Sequence, residues 1–171
     1  MDSTELRGLQ APLKERYRTD PGAALVTLKA EGSLDAEQIA CSVATGRALA
    51  EAGLHPATGG TGMLACSGDM LLEALIACAG VTMCSVATAL GIQVSGTVRA
   101  EGDLDFRGTL GMAKDGHVPV GFRAIRLSFD VEHDADDARF AKLIELTERY
   151  CVVFQTITGG VDVEISGPPA P

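Results

Sequence analysis

The sequence has no tryptophan, and aromatic side chains make up only 4% of its 171 residues. Its core must therefore be filled by Ala, Val, Leu and Ile rather than by rings. Excess positive charge is missing too. The formal net charge is −9, so the surface repels phosphate backbones and no nucleic-acid partner is expected. There is no CxxC pair, and His55, His117 and His133 stand far apart. That argues against a closed zinc site, and neither metal nor other cofactor is expected. The first residues, MDSTELRGLQAPLKERYR, have no apolar core of the ~7–15 residues that a signal peptide needs. Apolar runs fall short of the ~18 residues of a membrane span, the longest being interrupted by Glu73. These absences predict a cytoplasmic protein without a membrane partner.

What is present suits one domain with a full core: 46% of the residues are hydrophobic. There are five cysteines, an odd number: Cys41, Cys66, Cys78, Cys84 and Cys151. In a reducing compartment a framework of structural disulfides is not expected.

Residues 3–18 read as a helix capped by Ser3 or Thr4, which Pro12 breaks or restarts. Asp20-Pro21-Gly22 reads as a turn. Alternation over 24–30 predicts a strand, Gly32-Ser33 a turn, and Ile39, Cys41 and Val43 a second strand with Cys41 facing a core. The stretch AGLHPATGGTG, residues 52–62, is a loop. No GKS or GKT follows its glycines, and their spacing fits no dinucleotide fingerprint. Residues 67–90 form an apolar helix, capped by Ser67 or Asp69 and stopped by Gly91. Being apolar nearly all round, this helix is expected at the centre of the fold. A strand over 93–103 and a cleaner one through Ile125, Leu127, Phe129 and Val131 follow. Asp134 or Asp136 caps a second helix that runs to Tyr150. Val161, Val163 and Ile165 predict a last strand, and SGPPAP a frayed end. Strands cluster rather than alternate with helices, which predicts an α+β fold with a mostly antiparallel sheet.

Two cysteines sit on core-facing stripes. Leu71, Leu75, Cys78, Thr82 and Ser85 share one face of the first long helix, and that face turns polar towards its C-terminal end. Phe140, Ile144, Thr147 and Cys151 share a face of the second. Two such helices packed together could bring Cys78 to Cys151 as a redox pair; equally, both thiols could be small core hydrophobes. Cys84 faces another direction and Cys66 precedes the helix, so both are read as structural.

At these two segments the sequence resembles the OsmC/Ohr family of thiol-dependent peroxidases. The family's pattern (N)PEELLxAAxAxC becomes SGDMLLEALIAC here, ending in Cys78; its second cysteine becomes Cys151 in TERYCVVFQT, with Val152 where proline is typical. The similarity spans about residues 24–166, with 1–19 as an N-terminal helical extension and 20–171 as the domain.

The resemblance implies an OsmC-like fold: a curved, mostly antiparallel sheet wrapped on two central helices in an intertwined homodimer. It implies reduction of organic hydroperoxides through a Cys78 sulfenic acid resolved by Cys151, with a lipoyl- or thioredoxin-type dithiol as reductant. The family's arginine, which stabilises the thiolate, and the glutamate that holds it have no counterparts in register. Position 68 is Gly, and His55 is the one potential cation of the preceding loop. Arg107 and His55 are taken as substitutes, Arg107 ahead of Arg47 and Arg149. His55 could instead pack the loop, and Arg107 could be a solvated surface residue. Leu71, Leu75, Asp69 and Phe140 are expected to bind substrate. The alternative is a non-peroxidatic dimer of this fold that binds a small apolar or thiol-reactive ligand in the same cleft.

Overall fold

A computed structural model describes residues 2–20, 32–35, 40–44, 49–111 and 118–167. Its elements are helices α1 (Ser3–Thr19), α2 (Ser67–Leu90), α3 (Phe106–Thr109), α4 (Asp137–Tyr150) and α5 (Val152–Gly159) and strands β1 (Gly32–Asp35), β2 (Ala40–Ala44), β3 (Leu49–Gly53), β4 (Val94–Asp103) and β5 (Ala124–His133). Among the described residues the strands form two antiparallel sheets, β1-β2-β3 and β4-β5. The expected α+β class is what the molecule shows. The expected turn at 20–22, the strand over 24–30, the side chain of Cys41 and the frayed end from Pro168 lie outside the described residues.

α2 forms because residues 67–90 are rich in Ala, Leu and Met, and it ends at Gly91, whose φ of 66° is the left-handed stop. Its N-cap is Cys66, which makes no side-chain cap bond, so neither Ser67 nor Asp69 caps it. Both lie already inside the first turn. Leu75, Ala79, Met83 and Ala87 are its buried stripe, spaced four apart. Burial all round was expected and is not found: Val81 is 72% exposed and Leu71 is 39% exposed. An 18-residue window of α2 has a mean hydropathy of 1.9, long and apolar enough to cross a membrane by composition alone. Glu73 does not interrupt the run as expected, because it lies near the start and leaves 74–90 uncharged. The core helix of a folded domain passes the same test.

β4 and β5 pair over their full length, from Val94 opposite His133 to Asp103 opposite Ala124. Val98, Ala100, Ile125, Leu127, Phe129 and Val131 turn inwards, as period two demands. The outer face carries ion pairs from Arg126 to Glu101 and Asp103 and from Arg99 to Asp130. Such exposed pairs contribute under ~1 kcal/mol each. Gly96 lies mid-strand with a φ of +135°. A Cβ there would stand 2.3 Å from the Asp130 carbonyl oxygen. Gly96→Ala is therefore expected to cost about 1–3 kcal/mol, read as a lowered midpoint of urea unfolding.

α4 begins at Asp136, whose carboxylate accepts from the Arg139 N–H at 2.8 Å. Its buried residues, Leu143 and Thr147, continue into buried Cys151, and α4 packs on α2. Two core clusters result. One joins Met83, Ala87, Ile92 and Leu143; the other joins Leu75, Ala79 and Cys151, with Cys78 packed against it.

Several expectations are corrected. α1 runs unbroken through Pro12. Asp2 precedes Ser3 and takes over the capping role, accepting from the N–H groups of Thr4 and Glu5 while Glu5 accepts from its own N–H. Gly32-Ser33 is strand rather than turn, because 32–35 pair with 40–43. Residues 161–165 form no strand: Ile165 is 97% exposed and Val163 80% exposed, and no strand among the described residues pairs with them.

Candidate functional site: two thiols at a helix junction

The chain turns from α4 into α5 at a single residue, Cys151, which is both the C-cap of the first and the N-cap of the second. Its backbone is extended (φ −74°, ψ 106°), and its N–H still bonds the Thr147 carbonyl at 3.0 Å. The first N–H groups of α5 have no carbonyl within their own helix to bond, as at any helix start. They point at sulfur instead. Val152 and Val153 donate backbone hydrogen bonds to Cys78 Sγ, and Val153 and Phe154 donate to Cys151 Sγ. The two thiols are also hydrogen-bonded to each other, and Thr82, one turn beyond Cys78, adds its side chain to that sulfur.

The thiols are consequently unlike. Burial pushes Cys78 up, but the donors from Val153, Cys151, Val152 and Thr82 outweigh it and hold the thiol below its ordinary value. Burial also pushes Cys151 up, and its neighbour adds to the rise as Cys78 takes negative charge, so the net shift is upward. Cys151 is 1% exposed. Both are free thiols here. Around them β4, β5 and α5 present apolar side chains: Val98, Ala100, Ile125, Leu127, Phe129 and Phe154. A cavity of about 170 Å³ opens beside Leu75, lined by Ile125, Leu127, Phe129, Phe154 and Ile157, with Glu148 and Thr158 at its edge.

The other expected site residues are spread out. Leu75 stands one turn from Cys78, in the core and on that cavity wall. Leu71 is a further turn away. It lines a separate cleft of about 360 Å³ with His55, Cys66, Phe106 and Phe122. His55 Nδ1 accepts from the Ala57 N–H at 3.1 Å and the ring stacks on Phe106 at 4.6 Å. Its loop-packing role is the one observed. Arg107 is not at Cys78. Its guanidinium pairs with Asp105 in bidentate fashion, and Arg123 stands 3.9 Å from the same carboxylate, which is held down to about 2. The reason is local: Asp105 caps α3 two residues before Arg107 and captures it. Asp69 is exposed in the first turn of α2, where an acid suits the helix dipole but does not reach Cys78.

Phe140 shares a helical face with Cys151 but lies at the other end of α4, ~16 Å away along the axis. There it stacks on His133 at 3.9 Å and packs on the Met83 cluster. Arg47 lies outside the described residues, and Arg149 sits over the Tyr150 ring at 5.6 Å. Among the described residues, then, no guanidinium or imidazole contacts Cys78. What sequence reading missed is α5, whose first turn supplies the donors. The signal was Val153, Phe154 and Ile157 at helical spacing, followed by Gly159-Gly160.

Comparison with known proteins identifies the fold. A family model described as OsmC-like protein matches residues 60–166. No curated protein matches the chain. Among solved structures, an OsmC like protein from Mycoplasma pneumoniae is similar at 17% identity and a TM-score of 0.63, over 79% of this chain and 89% of that one. An organic hydroperoxide resistance protein OsmC from Legionella pneumophila is similar at 17% identity and a TM-score of 0.59, over 82% and 96%. The organic hydroperoxide resistance protein OhrB of Bacillus subtilis is similar at 20% identity and a TM-score of 0.52, over 82% and 97%. At such identities these likenesses speak for the fold.

Proposed function

The chain belongs to the OsmC-like protein family, and from that premise we propose that it is a thiol-dependent peroxidase acting on organic hydroperoxides. One arrangement carries the reading: Cys78 packs against buried Cys151 at the α4–α5 junction, with the Cys78 thiol held below its ordinary value and that of Cys151 above it. Neighbouring groups whose proton affinities are pushed apart have separate chemical roles. Cys78 is the nucleophile. Its thiolate attacks the peroxide O–O bond; an S–O bond forms, the O–O bond breaks, and the alkoxide takes up a proton to leave as alcohol. Cys78 is then a sulfenic acid. Cys151 attacks that sulfur, giving up its proton. An S–S bond forms and the hydroxide leaves as water. A lipoyl- or thioredoxin-type dithiol reduces the bond by two exchanges and is itself oxidised to a disulfide.

The apolar surround supports an organic substrate over hydrogen peroxide, with Leu75 and the adjoining cavity receiving its hydrocarbon part. The exposed apolar residues of α2 and of 161–165 support an intertwined homodimer that covers them. In that reading the protein works in the cytoplasm, with 1–19 as an extension of the domain at 20–171. Arg107 and His55 could serve the site only if assembly rearranged their present bonds, and Phe140 only from a partner subunit. The pairing of Arg107 with Asp105 favours a second reading, in which the dimer is non-peroxidatic and binds a small apolar or thiol-reactive ligand.

Intact mass separates the two. The reduced protein treated with one equivalent of cumene hydroperoxide is expected to lose two hydrogens, mapped to a Cys78–Cys151 peptide pair. In Cys151→Ser the product stops at a Cys78 sulfenic acid that dimedone traps. Unchanged mass under the same treatment would rule out the peroxidatic reading.

A further inference from the structure

We propose that the cavity beside Leu75 takes the organic part of the substrate as a compact, uncharged aryl or branched alkyl group, and that Glu148 at its mouth is the specificity-determining residue that turns carboxylates away. This rests on the reading of Cys78 and Cys151 as the reacting thiols and names the class of hydroperoxide they meet.

Leu75 and Phe154 belong to the cluster that holds Cys151 and against which Cys78 packs, and both also line the cavity. A group seated there shares those walls with the thiols. The remaining walls are apolar: Ile125, Leu127 and Phe129 turn in from β5, and Ile157 comes from α5. The volume is about 170 Å³. An apolar cavity of ~150 Å³ takes a benzene ring. One ring, or a branched alkyl group of like bulk, therefore fills this one, and any longer substituent must leave past the mouth.

Two polar residues reach the cavity, and neither welcomes an anion. Thr158 gives its hydroxyl proton to the Phe154 carbonyl oxygen at 2.8 Å, so that donor is already used. Glu148, in the last turn of α4, is exposed and enters no ion pair among the described residues. The cations closest to it in sequence are engaged elsewhere. Lys142 holds Glu145 at 2.7 Å. Arg149 sits over the Tyr150 ring and lines a different cleft, with Val152 and Gln155. No Lys, Arg or His among the described residues lines the cavity. A carboxylate arriving there meets a like charge and apolar walls that penalise its desolvation, with no counter-charge. A neutral ring meets neither cost and is stabilised by the apolar area it buries. An unpaired charge set against the wrong ligand is a common source of selectivity. The Glu148 carbonyl oxygen accepts from Gln155 Nε2 at 2.9 Å. Its backbone is thus tied to α5, and its side chain can be exchanged without loosening that tie.

The test compares two substrates that differ at one group: cumene hydroperoxide carrying a para carboxylate, and the methyl ester of that acid. The ratio of kcat/KM for ester over acid is measured on the full chain with a dithiol donor, at neutral pH and low salt. Taking the ratio cancels any change in the thiols themselves. The wild type should favour the ester at least ~10-fold. Glu148→Gln should cut that ratio about 3- to 5-fold, and Glu148→Lys about 10-fold. Both shifts should shrink in about 0.5 M NaCl, which a packing role of the side chain would not do. The site is exposed, and lysine suits the end of a helix, so both variants should fold. Binding is read apart from chemistry by ligand-observed NMR on the reduced protein, with cumyl alcohol and para-isopropylbenzoate as unreactive probes. The alcohol should bind the wild type, and the carboxylate should bind only Glu148→Lys. An ester-to-acid ratio unmoved by both substitutions overturns the proposal and leaves the peroxidase reading standing. So does failure of cumyl alcohol to bind. The expected binding pattern without any turnover supports the selectivity of the cavity and removes the peroxidase reading instead.

Discussion

Cys78→Ser is expected to reduce turnover of cumene hydroperoxide, with a dithiol as electron donor, by at least ~10³-fold, to the uncatalysed rate. A serine hydroxyl remains protonated at neutral pH in this site, since among the described residues no general base stands beside it to take the proton. Cys151 cannot replace the lost nucleophile. Its sulfur is buried and its proton is held more tightly than in a free thiol. The substitution is close in shape and the residue is half-buried, so melting should change little. In the proposed mechanism the reactive form is the Cys78 thiolate, whose proton affinity is held below the ordinary value. The rate should therefore climb with pH up to a midpoint under that of a free thiol and level off above it. Rates equal in the two proteins would remove Cys78 from the chemistry.

How far all this could be read from the residues varies by element. α2, α4 and β5 carry strong signals: a period of 3.6 or 2 sustained over ten or more residues, with Gly91 or Asp136 at an end. The structure has them where the periodicity puts them. β1 and β3 were not legible. LAEAG has little strand preference of its own, and it is strand because Ala40–Ala44 lies alongside it. α5 fails in the opposite sense. VVFQTITG is rich in β-branched residues, which lower helix preference and mask its helical spacing, yet packed against α2 and α4 it is helix. VDVEI alternates as a strand should, but alternation cannot provide an edge, and among the described residues it pairs with none.

The site was legible to the same degree. The two helical stripes allowed Cys78 to meet Cys151 but equally allowed both thiols to be core filler; the structure packs Cys78 against the cluster that holds Cys151. The groups that set their difference were not legible, because they are backbone groups of α5, an element the sequence reading did not foresee. Arg107 is expected at the site only as a substitute for the family's arginine. Its actual bond, to an acid two residues away, is a local capture that carried no periodic signal.

The second large effect concerns the lever that places Cys151. Leu143, Thr147 and Cys151 lie four residues apart on one stripe of α4, and each is at most 1% exposed. Leu143 fills the space between Met83, Ala87 and Ile92. Leu143→Ala leaves a cavity there and is expected to cost about 2–5 kcal/mol. For a chain of this size that lowers the melting temperature by ~4–20 °C. Leu143→Met, which conserves volume, should lose less than about 1.5 kcal/mol. Leu110, on the surface and 52% exposed, should tolerate alanine within ~0.5 kcal/mol. The consequence for chemistry follows from geometry. With the stripe loosened, α4 no longer fixes the α4–α5 junction against α2, and that junction carries both the second thiol and the amides at Cys78. Peroxide-driven formation of the Cys78–Cys151 bond should then slow in Leu143→Ala, even well below its melting temperature, while Leu143→Met keeps the wild-type rate. An unchanged rate of bond formation in a measurably destabilised Leu143→Ala would mean that the junction is held by α5 and not by this stripe.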